Sequence, residues 1–141
     1  MMSLSVLPWI ARLLLSIALF AGGAVAALAD GHGAASKPKM ETLLSTELEG
    51  APGTEVIVSR VALPANTSLP KHWHPGEEFA YVLEGSITLW QEGKEDTVIA
   101  AGQVGKVPLE QIHTVVTGDE GVTLLVFRVH EKGKPERMPA E

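Results

Sequence analysis

The stretch Lys71 to Gly85, KHWHPGEEFAYVLEG, constrains the fold more tightly than any other part of the chain. His72 and His74 are two residues apart, Glu78 follows four residues later, and the apolar, β-prone run Phe79-Ala80-Tyr81-Val82-Leu83 closes at Gly85. In an extended strand, alternate side chains share a face about 7 Å apart at Cα, so two imidazoles at this spacing can converge on one ion. A carboxylate downstream can complete the chelate. A second cluster, Gly102 to His113 (GQVGKVPLEQIH), supplies a third histidine after another tight turn. Three imidazoles and a carboxylate form a mixed nitrogen and oxygen donor set suited to one divalent transition metal ion, Fe, Mn, Zn, Ni or Cu, with geometry and availability choosing among them. His72, His74, Glu78 and His113 are therefore the candidate metal ligands.

The surrounding pattern is one of short strands. Thr42–Leu48 and Thr54–Leu63 are β-prone runs separated by the turn cluster Gly50-Ala51-Pro52-Gly53. Pro64-Ala65-Asn66 breaks the second run, and Leu69-Pro70-Lys71 leads into the ligand stretch. Beyond Gly85, Ser86–Gln91 and Asp96–Ala100 form a hairpin around Glu92-Gly93-Lys94. Gly102 and Gly105 permit tight turns, Pro108 fixes the approach to His113, and Thr114–Val116 and Val122–Val129 are the closing strands. No amphipathic helix or repeat interrupts them. Regularly spaced short strands with turn signals predict an all-β sandwich or barrel.

The two ligand-bearing segments resemble the paired motifs of the cupin superfamily. The first family motif runs Gly, five residues, His-x-His, three or four residues, Glu, six residues, Gly. This chain matches it at His72, His74, Glu78 and Gly85, with Asn66 in place of the leading Gly. The second runs Gly, five, Pro, one, Gly, two, His, three, Asn; Gly102, Pro108 and His113 match, with Glu110 and Thr117 in the Gly and Asn places. All four metal-ligand positions of the family are filled, and the departures fall on turn positions. The resemblance covers about Leu43 to Val129 and implies a single-domain jelly-roll barrel, the double-stranded β-helix. Glu77 is one residue short of the family spacing and alternates to the face opposite Glu78, so it reads as a solvated rim carboxylate.

Outside that barrel, expected over 42–130, three segments have a different character. Arg12 precedes an uncharged run from Leu13 to Ala29 that ends in Ala27-Leu28-Ala29, the layout of a secretory signal peptide over 1–29, with export to the periplasm or medium as its consequence. An uncleaved anchor is the alternative, and would be the chain's one membrane association. Residues 30–41 read as a flexible linker and 131–141 as a loosely held polar tail. Cleavage after Ala29 would leave Asp30-Gly31-His32, a terminus able to bind Cu(II) or Ni(II) in a square plane. The chain has no cysteine, so an exported form depends on burial and on any bound metal for its stability. Its formal charge of −6, or −7 without Arg12, excludes a nucleic-acid binder, which needs clustered Lys and Arg.

Four protein ligands on an ion that accepts five or six leave positions open for water, oxygen or a chelating small molecule. Relatives with this ligand set include, as the resemblance implies, dioxygenases, isomerases, decarboxylases and lyases, besides members that only bind. On the strand face shared with Glu78 lie Ala80 and Val82; on the last strand Val122, Leu124, Val126 and Arg128 share a face. Arg128 or His130 can reach the cavity as a polar handle, but at a strand end each reads first as a rim or surface residue, while Trp73 and Tyr81 are read as packing residues. No second acid or base stands out, so the catalytic residues are unassigned. The expected function is an exported metal-dependent enzyme acting on a small oxygen-chelating molecule, or a non-catalytic small-molecule or metal-binding module. A minimal jelly roll also leaves strand edges that a twofold partner can cover, which predicts a homodimer.

Overall fold

Residues 37–140 are described by a computed structural model of the chain. The leader expected over 1–29 and the Asp30-Gly31-His32 terminus lie outside the described residues. Ten strands follow one another: β1 (Lys39–Glu47), β2 (Thr54–Leu63), β3 (His72–Trp73), β4 (Gly76–Glu84), β5 (Ser86–Gln91), β6 (Thr97–Ala100), β7 (Val104–Val107), β8 (His113–Val116), β9 (Val122–Glu131) and β10 (Met138–Pro139). Among the described residues there is no helix. The strands pair antiparallel in two five-stranded sheets, ordered β1-β2-β9-β4-β7 and β10-β3-β8-β5-β6. This is the double-sheet jelly roll that the resemblance to the cupin superfamily implied.

Alternation decides which side chains meet between the sheets. Along β9 every second residue from Val122 to His130 is buried. Val122, Leu124 and Val126 pack with Val61 and Leu63 of β2, Val82 of β4, Ile87 and Leu89 of β5, Ile99 of β6 and Val107 of β7. The apolar part of β9 therefore belongs to the core, and its continuation on the same face carries polar residues inward.

Three boundaries differ from the sequence reading, each for a physical reason. β1 begins at Lys39, inside the segment read as a linker, because Lys39, Met40 and Glu41 pair with Ala62, Val61 and Arg60 through the backbone. All of β1 is exposed, so no burial pattern announces it. β7 was read as a turn from its glycine, yet Gly105 is a strand residue whose missing side chain makes room for Ile99 Cδ1. The tail is not loose: Glu131 ends β9, and Met138 and Pro139 pair with Trp73 and His72. Tyr81, expected to pack, is exposed on the outer face of β4.

The two glycine positions that the chain fills with other residues are its two non-glycine residues of positive φ among those described, Asn66 at 51° and Glu110 at 57°. The turns demand a left-handed backbone there even though glycine is absent. Both amides are used: Asn66 N–H donates to Gly118 O at 2.7 Å, and Glu110 N–H donates to His74 O at 3.1 Å. Thr117, in the motif's Asn place, ties the first of these turns down by donating its hydroxyl to Pro64 O at 2.6 Å and accepting Thr67 N–H at 2.9 Å.

A left-handed residue other than Gly, Asn or Asp costs about 1–2 kcal/mol, against about 0.5–1 kcal/mol for the extra unfolded-chain freedom of Gly. Glu110→Gly should thus stabilise the protein by up to about 1 kcal/mol, whereas Asn66→Gly should be close to neutral because Asn tolerates this region. Urea unfolding of both variants beside Glu110→Ala checks it: an Ala variant at 110 more stable than the Gly variant by about 0.5–1 kcal/mol would show that the dihedral is not strained.

Candidate metal centre

The three histidines come together through strand pairing. β3 and β8 are neighbours in one sheet, with His72 directly opposite His113, so both imidazoles project from the same face. His74, just beyond β3, shares that face by alternation. The ring centroids are 4.3 Å apart for His72 and His113, 5.0 Å for His72 and His74, and 5.1 Å for His74 and His113. All three rings are buried, and each offers one nitrogen within 4.8 Å of the others. Glu78 approaches from β4, in the facing sheet. Its Oε2 is 3.1 Å from His74 Nε2, and its Oε1 is 3.9 Å from His113 Nε2.

Each ring is oriented by its other nitrogen. His72 Nδ1 donates to Pro70 O at 2.8 Å, His113 Nδ1 donates to Gln111 O at 2.9 Å, and His74 Nδ1 donates to Glu136 O. A carbonyl can only accept, so all three Nδ1 atoms carry the proton and the Nε2 side turns inward. That is the outer-shell pattern of metal-binding histidines. His74 Nε2 is buried and makes no hydrogen bond, although a carboxylate oxygen lies 3.1 Å away. A lone pair and a carboxylate held this close require a cation between them, a proton or a metal ion. The residues therefore fit a divalent ion bound through nitrogen.

Electrostatics favours the ligand forms. Burial lowers the pKa of His72 to about 4, against a smaller opposing effect of the Pro70 carbonyl. His113 is lowered as well, again chiefly by burial. For Glu78, burial alone would raise the pKa, but the His74 imidazole, the Arg128 guanidinium and His113 outweigh it and bring it to about 2. Near neutral pH the site thus offers neutral rings at His72 and His113 and an ionised carboxylate.

Two residues that the sequence reading set aside belong to this site. Arg128 is buried, with Nε 2.9 Å from Glu78 Oε2 and Nη1 3.1 Å from Glu136 Oε2. Its alternation with Val122, Leu124 and Val126 was the signal; the assumption that strand ends face solvent obscured it. Glu136, in the tail, had no signal at all, since it reaches His74 through its main chain. His130 is also buried rather than on the rim, but away from the histidine cluster, in register with Gly76 of β4 and with Glu55 Oε1 3.7 Å from its Nε2. Gly76 has no side chain because a Cβ there would strike His130 Cβ. Glu77 pairs with Lys106 at 2.7 Å, both half-exposed, as a rim carboxylate would.

Beside the ligands lies a cavity of about 50 Å3, walled by His72, His113, Glu78, Arg128 and Arg137 at its polar end. Leu69, Ala80, Val115, Leu124 and Val126 supply apolar wall. Pockets for drug-sized ligands measure about 300–1,000 Å3, so this one admits only a small molecule.

The imidazole shifts set the pH response of the metal-free protein. The unfolded chain binds a proton at His72 near 6.5 and the folded chain only near 4, so stability present above pH 6.5 is lost as pH falls toward 4. His113 acts in the same direction. Thermal melts should show Tm falling across this window, with a shallower fall in His72→Gln; an unchanged slope in that variant would dissociate His72 from the effect.

Residues 59–128 match the cupin domain family. Comparison with curated protein sequences finds no significant match. Among solved structures, a DMSP lyase from Ruegeria pomeroyi superposes with a TM-score of 0.62 at 22% identity over 74% of this chain and 52% of its own. The chain thus spans about half the length of that lyase. A cupin-like protein from Thermotoga maritima gives a TM-score of 0.58 at 18% identity, covering 73% of this chain and 75% of its own. A cupin with a double-stranded β-helix fold from Methanocaldococcus jannaschii gives 0.57 at 19%, covering 71% and 85%. Matched domain, sheet topology and structural neighbours agree, and the chain belongs to the cupin superfamily.

Proposed function

We propose that this protein is a metal-dependent cupin enzyme, of dioxygenase, lyase or isomerase type, that acts on a small oxygen-chelating organic molecule. The observation that carries the reading is the set of three buried imidazoles whose Nδ1 atoms are all committed to backbone carbonyls. Glu78 is the fourth ligand in this reading, with its Oε2 facing His74 Nε2 and its Oε1 facing His113 Nε2. A divalent ion held there supplies Lewis acidity, and redox chemistry if it is iron or manganese. The chain's own residues bind, orient and exclude water. Arg128 holds the Glu78 carboxylate in place, the apolar wall limits solvent, and Arg137 borders the cavity with no ion-pair partner among the described residues, which suits a substrate carrying negative charge.

A non-catalytic binding module is the second reading, and one observation favours it. Apart from the candidate ligands, the cavity wall among the described residues carries no carboxylate, imidazole, amine, thiol or hydroxyl, the groups that general acid–base catalysis uses. Turnover by the metal-loaded protein separates the two readings, using small enediols, diketones, hydroxynitriles and, because structural neighbours include DMSP lyases, DMSP.

Export is part of the proposal, supported by the leader pattern over 1–29, and so is a homodimer. β1 lies at the edge of its sheet with Met40, Leu43 and Leu44 about half-exposed, a surface suited to a second copy. Sedimentation should give a dimer that Leu43→Lys, Leu44→Lys dissociates; a wild-type monomer at micromolar concentration would remove the dimer from the proposal.

Elemental analysis of protein exported by its own leader tests the metal. About one equivalent of transition metal is expected, against none in His72→Ala, His74→Ala, His113→Ala. Equal metal in both proteins, or none in either after metals are offered, would refute the site.

A further inference from the structure

The segment after β9 has the composition of a dispensable tail, yet its contacts converge on the metal centre. The Glu136 carbonyl accepts the Nδ1 proton of His74, and the Glu136 carboxylate takes Nη1 of Arg128, whose Nε holds Glu78. Arg137 borders the cavity. Pro139 pairs opposite His72, and Ala140 N–H donates to Lys71 O at 3.2 Å. Residues 136–140 thus reach three of the four candidate ligands, directly or through one intervening side chain.

The origin of each Nδ1 acceptor makes this specific. Pro70 and Gln111 lie two residues before His72 and His113, so the local chain supplies those acceptors as the ligand strands form. The acceptor for His74 is 62 residues away in sequence. If the segment leaves, His74 loses its orienting partner while the other two rings keep theirs. The strand in this segment is short: β10 has two residues and lies at a sheet edge. A two-residue edge strand has few backbone pairings, and elements of this kind open locally at lower free-energy cost than the core.

We infer that the segment Glu136 to Ala140 is a strap on the metal centre: its Glu136 carbonyl orients His74, and its opening uncovers the cavity and loosens that ligand in one motion. Glu136 is a positioning residue that never touches the ion. Access and affinity are then coupled, the closed protein gripping the metal and the open one exchanging it. The inference rests on the metal reading above, but the orientation of His74 can be tested without metal.

The experiment is 15N NMR of the imidazoles in the full-length chain and in a chain ending at Lys134, each metal-free and zinc-loaded. In the truncated chain the His74 Nδ1–H signal should vanish through solvent exchange while those of His72 and His113 persist. Zinc release to a chelator should quicken by at least about 10-fold, the lower end of what an outer-shell partner contributes. Persistence of all three Nδ1–H signals with unchanged zinc release would overturn the inference. The intact chain gives an independent measure that does not depend on how the truncated one folds. After correction for intrinsic rates, His74 Nδ1–H should share the protection of the Ala140 amide and fall below that of His72 and His113. A His74 proton that outlasts the Ala140 amide by an order of magnitude shows that the segment does not hold it. If the wild type takes up no zinc, the metal reading fails, and the metal-free comparison still decides whether the strap orients His74.

Discussion

The site depends on one kind of bond, the donation of an imidazole Nδ1–H to a main-chain carbonyl, made three times. A histidine has two ring nitrogens and a rotatable side chain, so its position alone does not determine what it presents. Committing Nδ1 to Pro70, Glu136 and Gln111 turns the Nε2 side of each ring toward the others. Burial then resists protonation at His72 and His113, and the Glu78 carboxylate adds negative charge to the same small volume. Packing concentrates there a set of groups that only a cation reconciles. Arg128 supplies part of that compensation from one side and leaves the other for an ion.

The two sheets share the ligands. His72 and His113 belong to one and Glu78 to the other, so an ion bound among them joins the layers as a cross-link would. In a chain without cysteine such a bridge would tie the layers together where no disulfide can. The hydrophobic core runs up to the site without a break, since β9 contributes Val122, Leu124 and Val126 to one and Arg128 to the other. A single alternating strand therefore couples core packing to ligand geometry.

How far this could be read from the sequence follows from which parts of the chain signal through side chains. The i, i+2 histidines are visible because strand alternation converts spacing directly into facing, whereas Glu78 follows a change of sheet and is legible only through the spacing of the family motif. The bounds of β2 and β5 are visible because Gly and Pro clusters flank them. β7 was obscured because a glycine required for close packing under Ile99 looks the same as one required for a turn. Arg128 was written in the alternation of β9 but discounted for its place near the strand end. The contribution of Glu136 was beyond reach, since a backbone carbonyl is common to every residue and leaves no trace in composition.

Asn66 and Glu110 carry a wider lesson about how such sites are found. Patterns built from letters treat a missing glycine as a missing part, yet here the backbone keeps the left-handed geometry at both positions with other residues installed. What the motif records at those points is a handedness of the chain, and glycine is its least costly spelling. A search that scored the torsion angle each position must adopt, and admitted any residue able to bear it, would recover relatives of this chain that drift away from the written consensus while keeping its shape.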